Sequence, residues 1–225
     1  MKKKLLFSLF ILCLFAFKYS DVSKQSPEAN SGYSATVVLS ATEARELAET
    51  YSKANTGSTL GGKIGRSELL QLIQSIPDSK NFVHFRFGID PQFNQVSLML
   101  IGDKTLFENQ SQIEYYRNGS SLSAYCPTTC DLENATGVTV SSNLNEYNTL
   151  SKSYQLKYPG KTIGGNIDKS AILNIINTLP PATNVVNFRF CKDEQSGHTS
   201  VIFMGENLFI RNGGSSAAYC PTSCD

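Results

Sequence analysis

The chain carries one pattern twice, and that repeat constrains its fold more than any other feature. Shifted by 103 residues, Ser40–Asp103 lies over Asn143–Glu206 without a gap, and twenty-one of the 64 positions are identical. Thr59–Ile64 (TLGGKI) meets Thr162–Ile167 (TIGGNI), and Val83–Phe87 (VHFRF) meets Val186–Phe190 (VNFRF). Nine extra residues in the first copy, within Lys104–Gln112, then reduce the offset to 94. Beyond them Arg117–Gly119 meets Arg211–Gly213, and Tyr125–Asp131 (YCPTTCD) meets Tyr219–Asp225 (YCPTSCD). Two copies make a duplication and not a solenoid, because an array needs several units to bury its faces. Each copy spans roughly 90 residues, enough for a small core.

Within each copy the hydrophobic period changes once. Ser40 and Glu43 form a capping-box pair ahead of Ala44, Leu47, Ala48 and Tyr51, which share one helical face over 40–54. Asn143 and Glu146, followed by Tyr147, Leu150 and Tyr154, make a weaker twin. A second helix is predicted over 66–76, and its twin carries Ile172, Leu173, Ile176 and Leu179; Pro77 and Pro180 stop both. The period then becomes two: Val83, Phe85 and Phe87 alternate with His84 and Arg86. Further strands follow at Val96–Ile101 and Ser200–Met204, then at Ile113–Arg117 and Asn207–Arg211. The predicted fold class is α+β. Each copy has two helices packed on one face of a three-strand antiparallel meander, closed by a Cys-Pro-x-x-Cys tail.

The copies occupy 40–131 and 143–225, joined by a polar linker at 132–142. Residues 1–20 read as a secretory signal: three lysines, then a run from Leu5 to Phe17 that is apolar except for Ser8. That run is short for a bilayer span, so no stable membrane span is expected in the mature chain. A polar tether over 21–39 follows. Residues 1–20 hold four lysines and no acid, leaving sixteen basic against nineteen acidic residues and a net charge of −3. A mildly acidic chain lacks the electrostatic footprint of a nucleic-acid binder. The expected location is therefore exported, either secreted or periplasmic.

Export bears on the cysteines. Cys13 lies in the signal; of the other five, four form the pairs Cys126–Cys130 and Cys220–Cys224. In an oxidising compartment local disulfides are expected there. One zinc shared by the four thiolates is the alternative. Cys191 is unpaired and stands where the first copy has Gly88; His198, across the predicted hairpin, is the candidate base for a cysteine nucleophile. Without a third orienting residue, a small buried thiol beside a turn histidine is the simpler reading. No other catalytic motif, metal cluster or cofactor fingerprint stands out, and no cofactor is expected.

The remaining candidates concern binding. Arg86 and Arg189 match across the copies and could receive a carboxylate or phosphate. As structural residues they would pair with an acid, and the matched turn acids Asp90 and Asp193 are the expected partners. Tyr125 and Tyr219 offer amphipathic contact area beside the Cys-Pro tails. The Gly pairs 61–62 and 164–165 read as turns needing positive φ before the second helix. Duplication, export and the lack of a coherent catalytic set predict non-enzymatic binding or adhesion, to a protein or a glycan. The alternatives are an exported enzyme using Cys191 and His198, or a disulfide-stapled enzyme inhibitor.

Overall fold

The computed structural model describes residues 35–101, 115–117, 125–126, 139–141, 144–193, 196–213 and 219–220. The signal segment, most of the tether and linker, the insertion, Cys130 and Cys224 lie outside the described residues. So does any test of the two disulfides. Among the described residues no helix is long and apolar enough to cross a membrane.

The fold is mixed helix and strand, with every sheet pairing antiparallel. Helix α1 spans Ala41–Ala54, and its capping box is made in full. The Ser40 hydroxyl accepts from the Glu43 amide at 3.2 Å, and the Glu43 carboxylate accepts from the Ser40 amide at 2.7 Å. Helix α2 (Arg66–Ser75) ends at Ile76 and α4 (Lys169–Thr178) at Leu179, both extended. Each of these residues precedes a proline, which excludes the helical conformation there. Helix α3 covers Leu144–Lys157.

The strands are β1 (Thr36–Leu39), β2 (Gly61–Gly65), β3 (Phe82–Asp90), β4 (Gln95–Ile101), β5 (Tyr115–Arg117) and β6 (Tyr125–Cys126). They continue as β7 (Thr139–Ser141), β8 (Gly164–Asp168), β9 (Val185–Lys192), β10 (Thr199–Met204), β11 (Phe209–Asn212) and β12 (Tyr219–Cys220). Both meanders form where the alternation places them, as β3-β4-β5 and β9-β10-β11. Six strands lie where none is predicted, among them β6 and β12 in the Cys-Pro tails. β1 and β7 fall in the stretches read as tether and linker. β2 and β8 are glycine-rich and hide their strand character.

These extra strands change the architecture. One sheet runs β1-β11-β10-β9-β2-β6, and the other runs β7-β5-β4-β3-β8-β12. The meander of each half is therefore flanked on both sides by strands of the other half. β2 pairs with β9 through Gly61–Arg189 to Gly65–Val185, and β8 pairs with β3 through Phe82–Asp168 to Arg86–Gly164. The helices are exchanged too: α1 packs on β9 and α3 on β3. Even the helix starts are shared. The first amide of α2 donates to Asn184 O and the first amide of α4 to Asn81 O, both at 2.8 Å, which satisfies amides that no side chain caps.

The main core lies between the sheets. Phe85, Phe87, Leu98 and Leu100 of one sheet cluster with Phe188, Phe190, Val201 and Phe203 of the other, together with the apolar faces of α2 and α4. Phe87 and Phe190 meet edge to face at 5.6 Å, a favoured aromatic geometry. The opposite sheet faces are covered separately. Met99 and Ile101 pack with Tyr147 and Leu150 of α3, and Cys191 and Ile202 pack with Ala44 of α1. The helices thus cover both faces of the sheets and not one, a correction that follows from the second apolar face along β4 and β10.

The glycine pairs also have a different cause. Gly61 and Gly164 lie inside strands, and neither is among the positive-φ glycines, which among the described residues are Gly57, Gly160, Gly197 and Gly213. A Cβ on Gly61 would collide with the carbonyl oxygen of Phe188, and one on Gly164 with that of Phe85. Close strand approach, and not turn geometry, excludes a side chain here. Gly61→Ala is expected to force β2 away from β9 and to destabilise the fold by roughly 1–3 kcal/mol, read by urea unfolding.

Candidate functional site

The residues singled out in the sequence fall into three places. The first is the pair of hairpin ends. Asp90 and Asp193 do not receive Arg86 and Arg189; their partners are Arg117 and Arg211. The Arg117 guanidinium contacts Asp90 at 3.0 Å and Glu146 at 3.0 Å, and Arg211 contacts Asp193 at 3.2 Å. The reason is strand geometry. β5 and β11 return past the hairpins and bring their arginines back to the turn acids, whereas Arg86 and Arg189 stand mid-strand on the faces covered by α3 and α1.

Tyr219 belongs to this buried cluster. Its hydroxyl donates to the Asp193 carboxylate and lies 3.2 Å from Arg211 Nη1. The side chain is buried, and burial, followed by the neighbouring Asp193 carboxylate, raises the phenol above its ordinary range. It ties the chain end to the hairpin and offers no open recognition surface. Tyr125 lies in β6, where its backbone faces Gly62; its side chain is outside the described residues, as are those of Cys126 and Cys220.

The second place is Cys191 and its surroundings. The register sets Cys191 opposite Ser200, and His198 is engaged elsewhere: its Nδ1 lies 2.8 Å from the Thr162 hydroxyl, and its ring lies 4.9 Å from that of Tyr219. The thiol is fully buried under α1, and burial pushes its pKa up to about 12. A nucleophilic cysteine needs its thiolate and an open path, and Cys191 has neither in the folded chain. Alkylation of the native protein by iodoacetamide is expected to leave Cys191 unmodified, with full labelling only in denaturant. Rapid native labelling would contradict this packing.

The third place is the outer face of each sheet, where the matched arginines part company. Arg86 lies beneath α3, and the hydroxyl of the buried Tyr147 accepts a hydrogen bond from it. The position of Tyr147 in α1 is Ala44, and that of Leu144 is Ala41. The sheet beneath is also altered, with Cys191 in place of Gly88. A Cβ on Gly88 would meet Leu150 Cβ at 2.9 Å, so α3 sits tight on its sheet. On the other side the small face of α1 leaves a pocket of about 380 Å³. Ala41, Ala44, Ala48, Ile202, Met204 and Phe209 supply its apolar walls, and Arg189 borders it. Among the described residues no hydrogen-bond or ion-pair partner reaches the Arg189 guanidinium. Burial alone lowers its pKa.

The sequence held the sign of this pocket in positions where the copies disagree, Ala41 against Leu144 and Ala44 against Tyr147, and attention to the matching positions passes over it. It also passes over Lys63, which is 1% exposed in β2 opposite Asn187. Among the described residues no group of three or more His, Cys, Asp or Glu side chains is placed to hold a metal ion. Comparison of the chain with protein-family models, with curated proteins and with solved structures finds no match.

Proposed function

We propose that the protein is an exported, non-enzymatic binding protein, built from a duplicated unit whose two copies interlock, and that it holds its ligand beneath α1. The observation that carries this reading is the pocket beside Arg189: apolar walls, one charged group without a partner among the described residues, and a volume of about 380 Å³, in the range of small-molecule sites. The twin position beneath α3 supports it by contrast, because there Tyr147 takes up the space and engages the matching arginine. Matched adhesive surfaces on both copies lose support for the same reason, and the buried Tyr219 removes another member of that set. An enzyme built on Cys191 and His198 is disfavoured by the burial of the thiol. Export rests on the basic and apolar opening of the chain.

A neutral apolar fluorophore, N-phenyl-1-naphthylamine, tests the reading without assuming the ligand. It is expected to bind once per chain and to lose its binding in Ala44→Tyr, which places the bulk of the twin helix in the pocket. Fluorescence that is absent in the unaltered protein, or that survives Ala44→Tyr unchanged, would refute it.

A further inference from the structure

Resting on the binding reading above, we infer that the pocket under α1 takes a small monocarboxylate with an apolar body, its carboxylate on Arg189. Three observations converge on that class. The first is the charge count of the lining. Arg45, Glu49 and Arg189 are its ionisable groups, and Arg45 pairs with Glu49 at 3.9 Å on the exposed flank of α1. That pair cancels, so the pocket is left with one positive charge and complements one negative charge.

The second observation is the position of Arg189 within the sheet. Its register partner is Gly61, and a Cβ at that glycine would meet the arginine Cδ at 3.1 Å. The arginine stem is therefore laid across a bare strand, which fixes the base of the side chain. Arg86 lies in the same way across Gly164, with 3.0 Å to its Cδ. The two guanidinium groups start from equivalent frames and differ in what they meet. Arg86 meets the Tyr147 hydroxyl, an oxygen acceptor delivered by the covering helix. In the other half that oxygen and its ring are absent, and Arg189 faces the space they would have filled. A ligand that combines an apolar body with an oxygen acceptor at one end would replace what Tyr147 supplies on the twin side.

The third observation separates a carboxylate from a neutral acceptor. A guanidinium drawn out of water without an anion is costly, and a planar carboxylate matches its fork of donors with two parallel bonds. A dianion is disfavoured, because its second charge would lie against Ala44, Ile202 and Met204, and the other cation of the lining, Arg45, is already paired with Glu49.

Calorimetric titration of the mature protein with octanoate, 1-octanol and suberate tests the class. Octanoate is expected to bind once per chain, with octanol and the dianion suberate each at least tenfold weaker. Arg189→Gln is expected to weaken octanoate tenfold or more while changing octanol less than twofold, and Arg189→Lys to recover part of the loss. Octanoate and octanol binding equally, with neither altered by Arg189→Gln, would overturn the carboxylate class and leave the pocket reading intact. Failure of both probes to bind, or binding unchanged by Ala44→Tyr and by the milder Ala41→Leu, would overturn both. Binding that emerges only after removal of residues 21–32 would make the chain's own segment the occupant, and would overturn the proposal as well.

Discussion

Either half of the chain, produced alone as 33–131 or 132–225, is expected to yield no folded monomer. A half on its own keeps its meander but loses the strands on both flanks. The first half would lose β8 beside β3 and β7 beside β5; the second would lose β2 beside β9 and β1 beside β11. Each meander would then expose two unpaired edges, and its outer face would lose the helix that covers it. An isolated short sheet of this kind is marginal in water, and uncovered edges favour self-association. Sedimentation and circular dichroism should therefore report an unfolded chain or an intertwined dimer, in which two copies of one half exchange strands as the two halves do here. Mixing the halves should restore a one-to-one complex with a cooperative unfolding transition. A stably folded monomeric half would contradict the exchanged topology.

Asp193→Ala is expected to cost about 3–5 kcal/mol, the range for removing one partner of a buried ion pair. The Asp193 and Arg211 side chains are only 7% and 12% exposed. Without the carboxylate, Arg211 keeps the Asn212 carbonyl and the Tyr219 hydroxyl, two neutral acceptors, while Glu43, at the position matching Glu146, is held in the Ser40 capping box and acts on it only at longer range. The matched change in the other half should cost clearly less. With Asp90→Ala, Arg117 retains Glu146 at 3.0 Å, and a remaining anion spares the buried cation. Urea unfolding of the two variants in parallel checks the difference. Equal losses would mean that the acids matter through their turn hydrogen bonds, as Asp90 does with the Gln92 amide, and not through the arginines.

Local structure was legible where a short-range cause produces it. The Ser40–Glu43 box starts α1, Pro77 and Pro180 end α2 and α4, and the alternation of Val83, Phe85 and Phe87 marks β3. What stayed hidden depends on distant partners. The pair Gly61 and Gly62 reads as a turn until β9 lies beside it, and Thr36–Leu39 reads as tether until β11 receives it. A sequence repeat also suggests that each copy is its own folding unit. Strand exchange between the copies leaves the pattern of each copy unchanged, so nothing in the periodicity distinguishes the two arrangements.

The candidate site follows the same logic. Arg86 and Arg189 match in sequence, yet Arg86 meets the hydroxyl of the helix that covers it and Arg189 borders open space. The pocket arises from Ala41 and Ala44, two small residues whose meaning appears only when their twins Leu144 and Tyr147 are seen filling the equivalent space. Asp90 and Asp193 adjoin Arg86 and Arg189 along the hairpins, but β5 and β11 bring Arg117 and Arg211 closer to them in space.

One half of this paired architecture keeps open a space that the other half has filled. Stoichiometry of N-phenyl-1-naphthylamine binding, measured across three proteins, tests it most directly. One probe is expected per unaltered chain, none for Ala44→Tyr, and two for Tyr147→Ala, which should open the space beneath α3 beside Arg86. One probe per chain in all three proteins would contradict it, since the bound molecule would then lie in neither space.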